Sequence, residues 1–261
     1  MTDYVPDSLS ILGVGVSVFD SYDDAAQLIR RRISLRRRTF CVAVNPEKVH
    51  RANKDAKLKR VLDSAHLHLC DGVGVSVASR LLYGRRVPRC TGIDLFLRLV
   101  RLSAEEGWKI FLLGATPESN EAACRALTAS FPGLTIAGSQ DGYFKDNDAV
   151  VDRINSSGAN LLFVALGSPR QEFWINENMP RLRPSYFMGV GGSLDVISGS
   201  AKRAPSVLRK CGGEWLFRLL AQPSRVWRQT ALPLFAFEIL KVAVSGSRTP
   251  PKGEVPAGVS T

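Results

Sequence analysis

The chain has only five cysteines, an odd number, widely spaced (Cys41, Cys70, Cys90, Cys124, Cys211) and with no C-x-x-C pair. That argues against both a disulfide framework and a structural zinc site, and for a reducing compartment. Histidine is scarcer still, with three in 261 residues. His66 and His68 stand two apart and share a strand face while His50 is isolated, and with no third ligand nearby all three read as structural, so no metal site is expected. The opening MTDYVPDSLS has no basic segment leading into an apolar one. No apolar run reaches the roughly 18 residues of a spanning helix. These absences predict a chain that is neither secreted nor membrane-spanning. No G-x-G-x-x-G follows the first strand and no G-x-x-x-x-G-K-[ST] occurs, which counts against a dinucleotide cofactor and an ATPase. Internal repeats are also lacking.

Acidic residues are in deficit: 24 Asp and Glu face 35 Lys and Arg, giving +11 and a pI near 9.8 in a chain of otherwise ordinary globular composition, 45% hydrophobic and 23% charged. Such a surplus points to an anionic partner, whether nucleic acid, a phosphate-bearing substrate or acidic lipid. From residue 201 onward ten Lys and Arg face three Glu, so +7 of the +11 lies in the last 61 residues. A second cluster, Arg30, Arg31, Arg32, Arg36, Arg37 and Arg38, reads as the solvated end of a helix and its loop.

Short β-branched runs (39–45, 66–72, 108–115, 134–139, 159–167, 185–192) alternate with helical segments such as 118–131 and 146–158. Several runs are continuously apolar, as in strands covered on both faces, and the alternation predicts a Rossmann-like, doubly wound, mostly parallel α/β sheet. An earlier strand is expected over 11–18 and a helix over 23–33, after a lead of residues 1–10. The α/β domain then occupies 11–200, a basic helical appendage 201–245 with helices over 203–221 and 223–244, and a Pro/Gly/Ser-rich disordered tail 246–261.

In such sheets ligands bind beyond the carboxyl ends of the strands. Polar and glycine residues collect there. Gly114 with Thr116-Pro117, and Gly167 with Ser168-Pro169, each offer a flexible residue, a capping hydroxyl and a first-turn proline, which would leave helix N–H groups facing a ligand anion. Asp71 ends an apolar strand before Gly72, so it is either a base at the ligand edge or a cap on the next helix.

The blocks VNPEKV (44–49), CDGVGV (70–75), PRCTGIDLF (88–96), FLLGATPE (111–118), GSQDGYF (138–144), VALGSPRQE (164–172), MGVGGSLDVISGSAKRAP (188–205) and GEWLFRLLAQPSRVWRQ (213–229) resemble, in order and spacing, the WecG/TagA/CpsF glycosyltransferases, glycosyltransferase family 26. The resemblance runs from Ile11 to about Leu240. It implies an inverting, metal- and cofactor-independent enzyme. Such an enzyme moves a sugar (N-acetylmannosamine, its uronic acid or glucose) from a UDP-sugar to a polyprenyl-diphosphate-linked sugar. The setting would be cell-surface or exopolysaccharide synthesis, at the cytoplasmic membrane face. By the same resemblance Asp71 is the catalytic base; Asn45, Arg89 and Gln171 hold donor or acceptor; Gly191, Gly192 and Asp195 form the nucleotide edge. Arg218, Arg225 and Arg228 would reach the acceptor diphosphate and an acidic membrane surface. Some members carry Thr where this chain has Ala43, so their donor preference does not transfer.

The C-terminal stripe Val226, Trp227, Ala231, Leu234 and Phe235, beside Arg225 and Arg228, reads either as an interfacial helix or as a helix packed on the core. A nucleic-acid binder would interleave aromatics with Lys and Arg on an exposed face, and no such motif is present, so nucleic acid is not the expected partner. An inactive nucleotide-sugar-binding scaffold is the alternative to an enzyme, against which Asp71, Asn45, Arg89 and Gln171 argue. Oligomeric state stays open, a homo-oligomer included.

Overall fold

The computed structural model describes residues 6–205, 207–208, 213, 217 and 231–245. In chain order, strands β1 (Ser8–Ile11) and β2 (Val14–Ser17) precede α1 (Tyr22–Ser34), β3 (Thr39–Val44), α2 (Pro46–Ala52), α3 (Ala56–Ser64) and β4 (Leu67–Cys70). Then come α4 (Val73–Tyr83), α5 (Gly92–Glu106), β5 (Lys109–Gly114), α6 (Pro117–Ser130), β6 (Thr135–Gln140) and α7 (Asn147–Ser157). β7 (Leu161–Ala165), α8 (Arg170–Asn178), a 3₁₀ turn (Met179–Arg181), β8 (Tyr186–Gly189), α9 (Ser193–Ile197) and α10 (Ala231–Ser245) follow.

Six strands form one parallel sheet in the order β4-β3-β8-β7-β5-β6. Every residue of β3, β7 and β8 is buried, so the sequence shows unbroken apolar runs instead of alternation. The pleat sorts them into two cores. Phe40, Val42, Val44, Phe111, Leu113, Leu162 and Val164 meet α2, α3, α4, α7 and α8 on one face. Cys41, Ile110, Leu112, Leu161 and Phe163 meet α1, α5, α6 and α9 on the other. This is the expected doubly wound α/β fold.

Two expectations need correction. The single strand over 11–18 is a hairpin, β1 with β2, which draws on residues 8–10 of the expected lead. Its turn residues Leu12 and Gly13 both have positive φ (49° and 82°), as a two-residue hairpin requires. The arginine cluster is only partly solvated. Arg32 is buried and donates to Thr39 Oγ1 at 2.8 Å, and Arg38 donates to the carbonyl oxygens of Met179 and Leu182, clamping α1's exit to the turn after α8.

α10 packs on α2 and α4, burying Ala231, Phe235 and Ile239. The expected helix over 203–221 and the part of the next one before Ala231 lie largely outside the described residues. So do Arg218, Arg225, Arg228, Val226, Trp227 and the tail 246–261.

The thiols of Cys41 and Cys70 are pushed up to about 12, chiefly by burial, and that of Cys90 is raised further for the same reason. Thiolates, not thiols, react with alkylating agents. Iodoacetamide at pH 8 is therefore expected to leave these three unmodified in the native protein and to label them once urea is added, as read by mass spectrometry of peptides.

Candidate active site

A cleft of about 310 Å³ opens at the carboxyl ends of the adjacent strands β4, β3, β8 and β7. Its walls are residues 45–48, 71–74 and 189–193 after three of these strands, Gly167, Ser168 and Gln171 after the fourth, Arg89 with 91–93, and Leu232 of α10. The N-termini of α2, α4, α8 and α9 reach it, because each strand-to-helix turn in a parallel sheet points its helix start at this edge, and the start of α5, which follows α4, joins them. Aligned peptide dipoles and free N–H groups there favour an anion.

Asp71 lines the cleft. Its backbone N–H donates to Val44 O at 2.8 Å and to Leu69 O at 2.9 Å, which pins the residue to the ends of β3 and β4. It is not the N-cap of α4: that position is held by Gly72 (φ 126°), with no side-chain capping bond. Of the two roles open to this carboxylate, the capping one is thus removed. Asp71 Oδ2 lies 3.8 Å from where a Cβ on Gly92 would stand, so the carboxylate sits against the start of α5. The Cys70 thiol is raised first by burial and next by the Asp71 charge, with Arg89 and Arg86 pulling the other way. A carboxylate and a guanidinium therefore share this end of the cleft.

Cys90 N donates to Cys70 O at 2.8 Å, which holds the Arg89 segment beside β4. Thr91 fixes its far end: its N–H donates to Tyr22 Oη at 2.9 Å, and its Oγ1 accepts from Asp94 N and donates to Asp94 Oδ2 at 2.7 Å, capping α5. Arg203 pairs with Asp94. Asn45, the motif asparagine, lines the cleft and caps α2, its Oδ1 accepting from Lys48 N at 2.8 Å.

On the opposite wall Gln171 Oε1 accepts from Gly191 N at 3.0 Å, while its Nε2 donates to Glu172 Oε1 at 3.1 Å. The same Glu172 oxygen accepts from Lys48 Nζ at 2.7 Å, and Lys48 also donates to Ala43 O at 2.7 Å. Both charges are buried, Lys48 at 6% exposure and Glu172 at 1%. Gln171 lies flush on β8, since a Cβ on Gly189 would fall 2.4 Å from its Nε2.

Asp71, Asn45, Arg89, Gln171, Gly167, Gly191 and Gly192 thus converge on one cleft. Gly114 and Asp195 do not line it. Thr116 caps α6 as expected, accepting from Ser119 N, with Pro117 in the first turn. The parallel expectation for Ser168 fails: Pro169 is itself the N-cap of α8, so Ser168 falls one residue outside the helix and makes no capping bond. Arg218, Arg225 and Arg228 lie outside the described residues. Lys48, Glu172, Tyr22 and Thr91 complete the site and were not singled out from sequence. For Thr91 the signal was there, since T-x-x-D ahead of an apolar run is a capping pattern.

The profile of the Glycosyl transferase WecG/TagA/CpsF family matches residues 9–249. An N-acetylglucosaminyldiphosphoundecaprenol N-acetyl-beta-D-mannosaminyltransferase from Bacillus spizizenii is 37% identical over 202 residues, covering 77% of this chain and 79% of its own. A profile spanning nearly the whole chain, a relative at that identity, and a cleft holding the motif residues of four separate turns agree. The chain belongs to the WecG/TagA/CpsF family and is a glycosyltransferase.

Proposed function

We propose that the chain moves a hexose-type sugar from a UDP-sugar to a sugar carried on a polyprenyl diphosphate, with inversion and without a metal. The observation that carries this reading is the placement of Asp71. It stands in the cleft that Arg89 also lines, excused from helix capping and among helix N-termini. Its carboxylate takes the proton of the acceptor hydroxyl as that oxygen attacks the anomeric carbon from the side opposite UDP. Carboxylates are weak bases at neutral pH, so most of the acceleration falls to orientation and to stabilising the departing diphosphate. Arg89 and the N–H groups at the helix starts supply that charge stabilisation. The acceptor class follows the relative, whose name specifies a diphosphoundecaprenol-linked N-acetylglucosamine.

The test is a donor screen. Purified protein, a short-chain lipid-diphosphate-sugar and several UDP-sugars are combined with and without EDTA, and products are identified by mass spectrometry and by NMR of the new anomeric centre. A retained anomeric configuration, or loss of activity on chelation, would overturn the corresponding part of the reading.

α10 supports a role at the membrane. While one face packs on α2 and α4, Leu234, Phe237, Leu240 and Val244 face solvent, Phe237 at 67% and Val244 at 88% exposure, and Val77 and Leu81 of α4 are exposed too. Exposed apolar groups of this number on a basic chain fit an interfacial element better than a free surface. Among the described residues no helix is long and apolar enough to cross a membrane. Phe237→Glu with Leu240→Glu is expected to weaken co-sedimentation with phosphatidylglycerol vesicles by about tenfold or more, burial of each such side chain being worth about 1.5–3 kcal/mol. Turnover of a water-soluble acceptor is expected to stay unchanged. Undiminished vesicle binding would sink the membrane role of this face.

A further inference from the structure

We propose that Lys48 and Glu172 are positioning residues for the transfer: their buried ion pair fixes the orientation of the Gln171 amide and, through it, the backbone turn at Gly191. The assignment of the turn to sugar transfer rests on the function proposed above; the geometric claim does not.

Stability does not account for the pair. Burying two charges costs several kcal/mol per ion before their attraction is counted, and apolar replacements of similar volume are often neutral or stabilising. Here the compensation is incomplete, because Glu172 Oε2 has no hydrogen-bond partner among the described residues. What the pair provides is direction. An amide side chain fits a given space in two orientations, and only one of them presents oxygen to the Gly191 N–H. An ionised carboxylate can only accept, so Glu172 Oε1 selects the orientation in which Gln171 turns its NH₂ toward α8 and its oxygen toward Gly191. Lys48 Nζ, which can only donate, holds the same oxygen at 2.7 Å. A residue at 172 with no acceptor would leave the amide free to turn over and set NH₂ against N–H.

The same contacts tie three turns of the cleft together. Lys48 reaches back to Ala43 O at the end of β3, Gln171 and Glu172 open α8, and Gly191 follows β8. Lys48 itself lines the cleft. The close seat of Gln171 on Gly189 leaves no slack for the amide to shift without moving this wall. Displacements of about 1 Å at positioning groups cost on the order of 10²-fold in rate.

The experiment compares Glu172→Gln, Glu172→Met and the double variant Lys48→Met/Glu172→Met, reading three quantities: the ¹H–¹⁵N amide resonance of Gly191, the thermal midpoint, and kcat/KM in the donor assay. The double variant leaves no unpaired charge and is expected to melt near the parent. Its Gly191 amide is expected to move upfield as the hydrogen bond is lost, and its kcat/KM to fall about 10²-fold. Glu172→Gln creates no cavity and keeps an acceptor for the Gln171 NH₂. It is expected to hold the Gly191 resonance close to the parent's and to recover at least about tenfold over Glu172→Met. An unmoved Gly191 resonance in the folded double variant overturns the proposal, as does a moved resonance with undiminished kcat/KM. So does a Glu172→Gln variant as impaired, with Gly191 as displaced, as Glu172→Met. If the parent is inactive with every donor yet the Gly191 shift appears, the geometric claim stands and the transfer reading falls.

Discussion

Asp71→Asn is expected to lower turnover by about 10³-fold, within the range that general-base catalysis supplies, while UDP affinity measured by calorimetry stays within about twofold of the parent. The substitution keeps the side chain's size and one acceptor oxygen, and removes the negative charge and with it the ability to accept a proton at neutral pH. The backbone of this residue is held by the N–H bonds to Val44 O and Leu69 O, neither of which involves the carboxylate. α4 takes no cap from it, so the roughly 1 kcal/mol that losing a helix cap costs does not arise. A stable, UDP-binding, inactive variant isolates proton transfer as the missing step. Near-normal turnover would assign Asp71 a structural part and place the base elsewhere; unfolding would mean that its charge, set beside Arg89 and Cys70, holds this end of the cleft together.

The sheet and most of the cleft were legible in the sequence because they depend on local signals. FCVAV and LLFVA are apolar at every position since both faces are covered; Asn45 and Asp71 directly follow β3 and β4, and Gln171 and Gly191 lie a few residues past β7 and β8, all strands whose carboxyl ends must form the ligand edge. The hairpin was missed because its turn begins at Leu12, a residue with no turn signature that nonetheless takes φ 49°, so Ile11 to Val18 read as one strand. Lys48 and Glu172 stand 124 residues apart, and nothing near either one announces the other. Each is a charged residue in a helix that also buries apolar neighbours, Val49 and Ala52 for one and Trp174 and Ile175 for the other. Such a pattern marks a buried charge without naming its partner. Ser168 and Thr116 show how fine the local signals are: one residue fewer between glycine and proline moves the hydroxyl outside the helix.

Gly114→Ala carries the largest expected loss of stability, about 3 kcal/mol or more, and with it a fall of roughly 6–12 °C in thermal midpoint. Two effects add. At φ 116° any side chain strains the backbone, and a Cβ there would lie 2.5 Å from both the carbonyl carbon and the oxygen of Ala165. Those are backbone atoms of β7, a strand held between β5 and β8, and Ala165 O already accepts from Ala115 N at 3.0 Å, so the neighbour cannot withdraw. Gly84→Ala separates the two effects. Gly84 also has positive φ, at 69°, but a Cβ there meets nothing within 4 Å, so only the conformational cost of about 1–2 kcal/mol is expected. Equal losses at both positions would show that crowding against Ala165 carries no weight. The pair also decides what Gly114 is for. From sequence it read as part of a phosphate cradle, yet it does not line the cleft. If its place is set by strand packing, Gly114→Ala protein that remains folded binds UDP with unchanged affinity. A weakened UDP complex at an unchanged melting temperature would return Gly114 to the ligand.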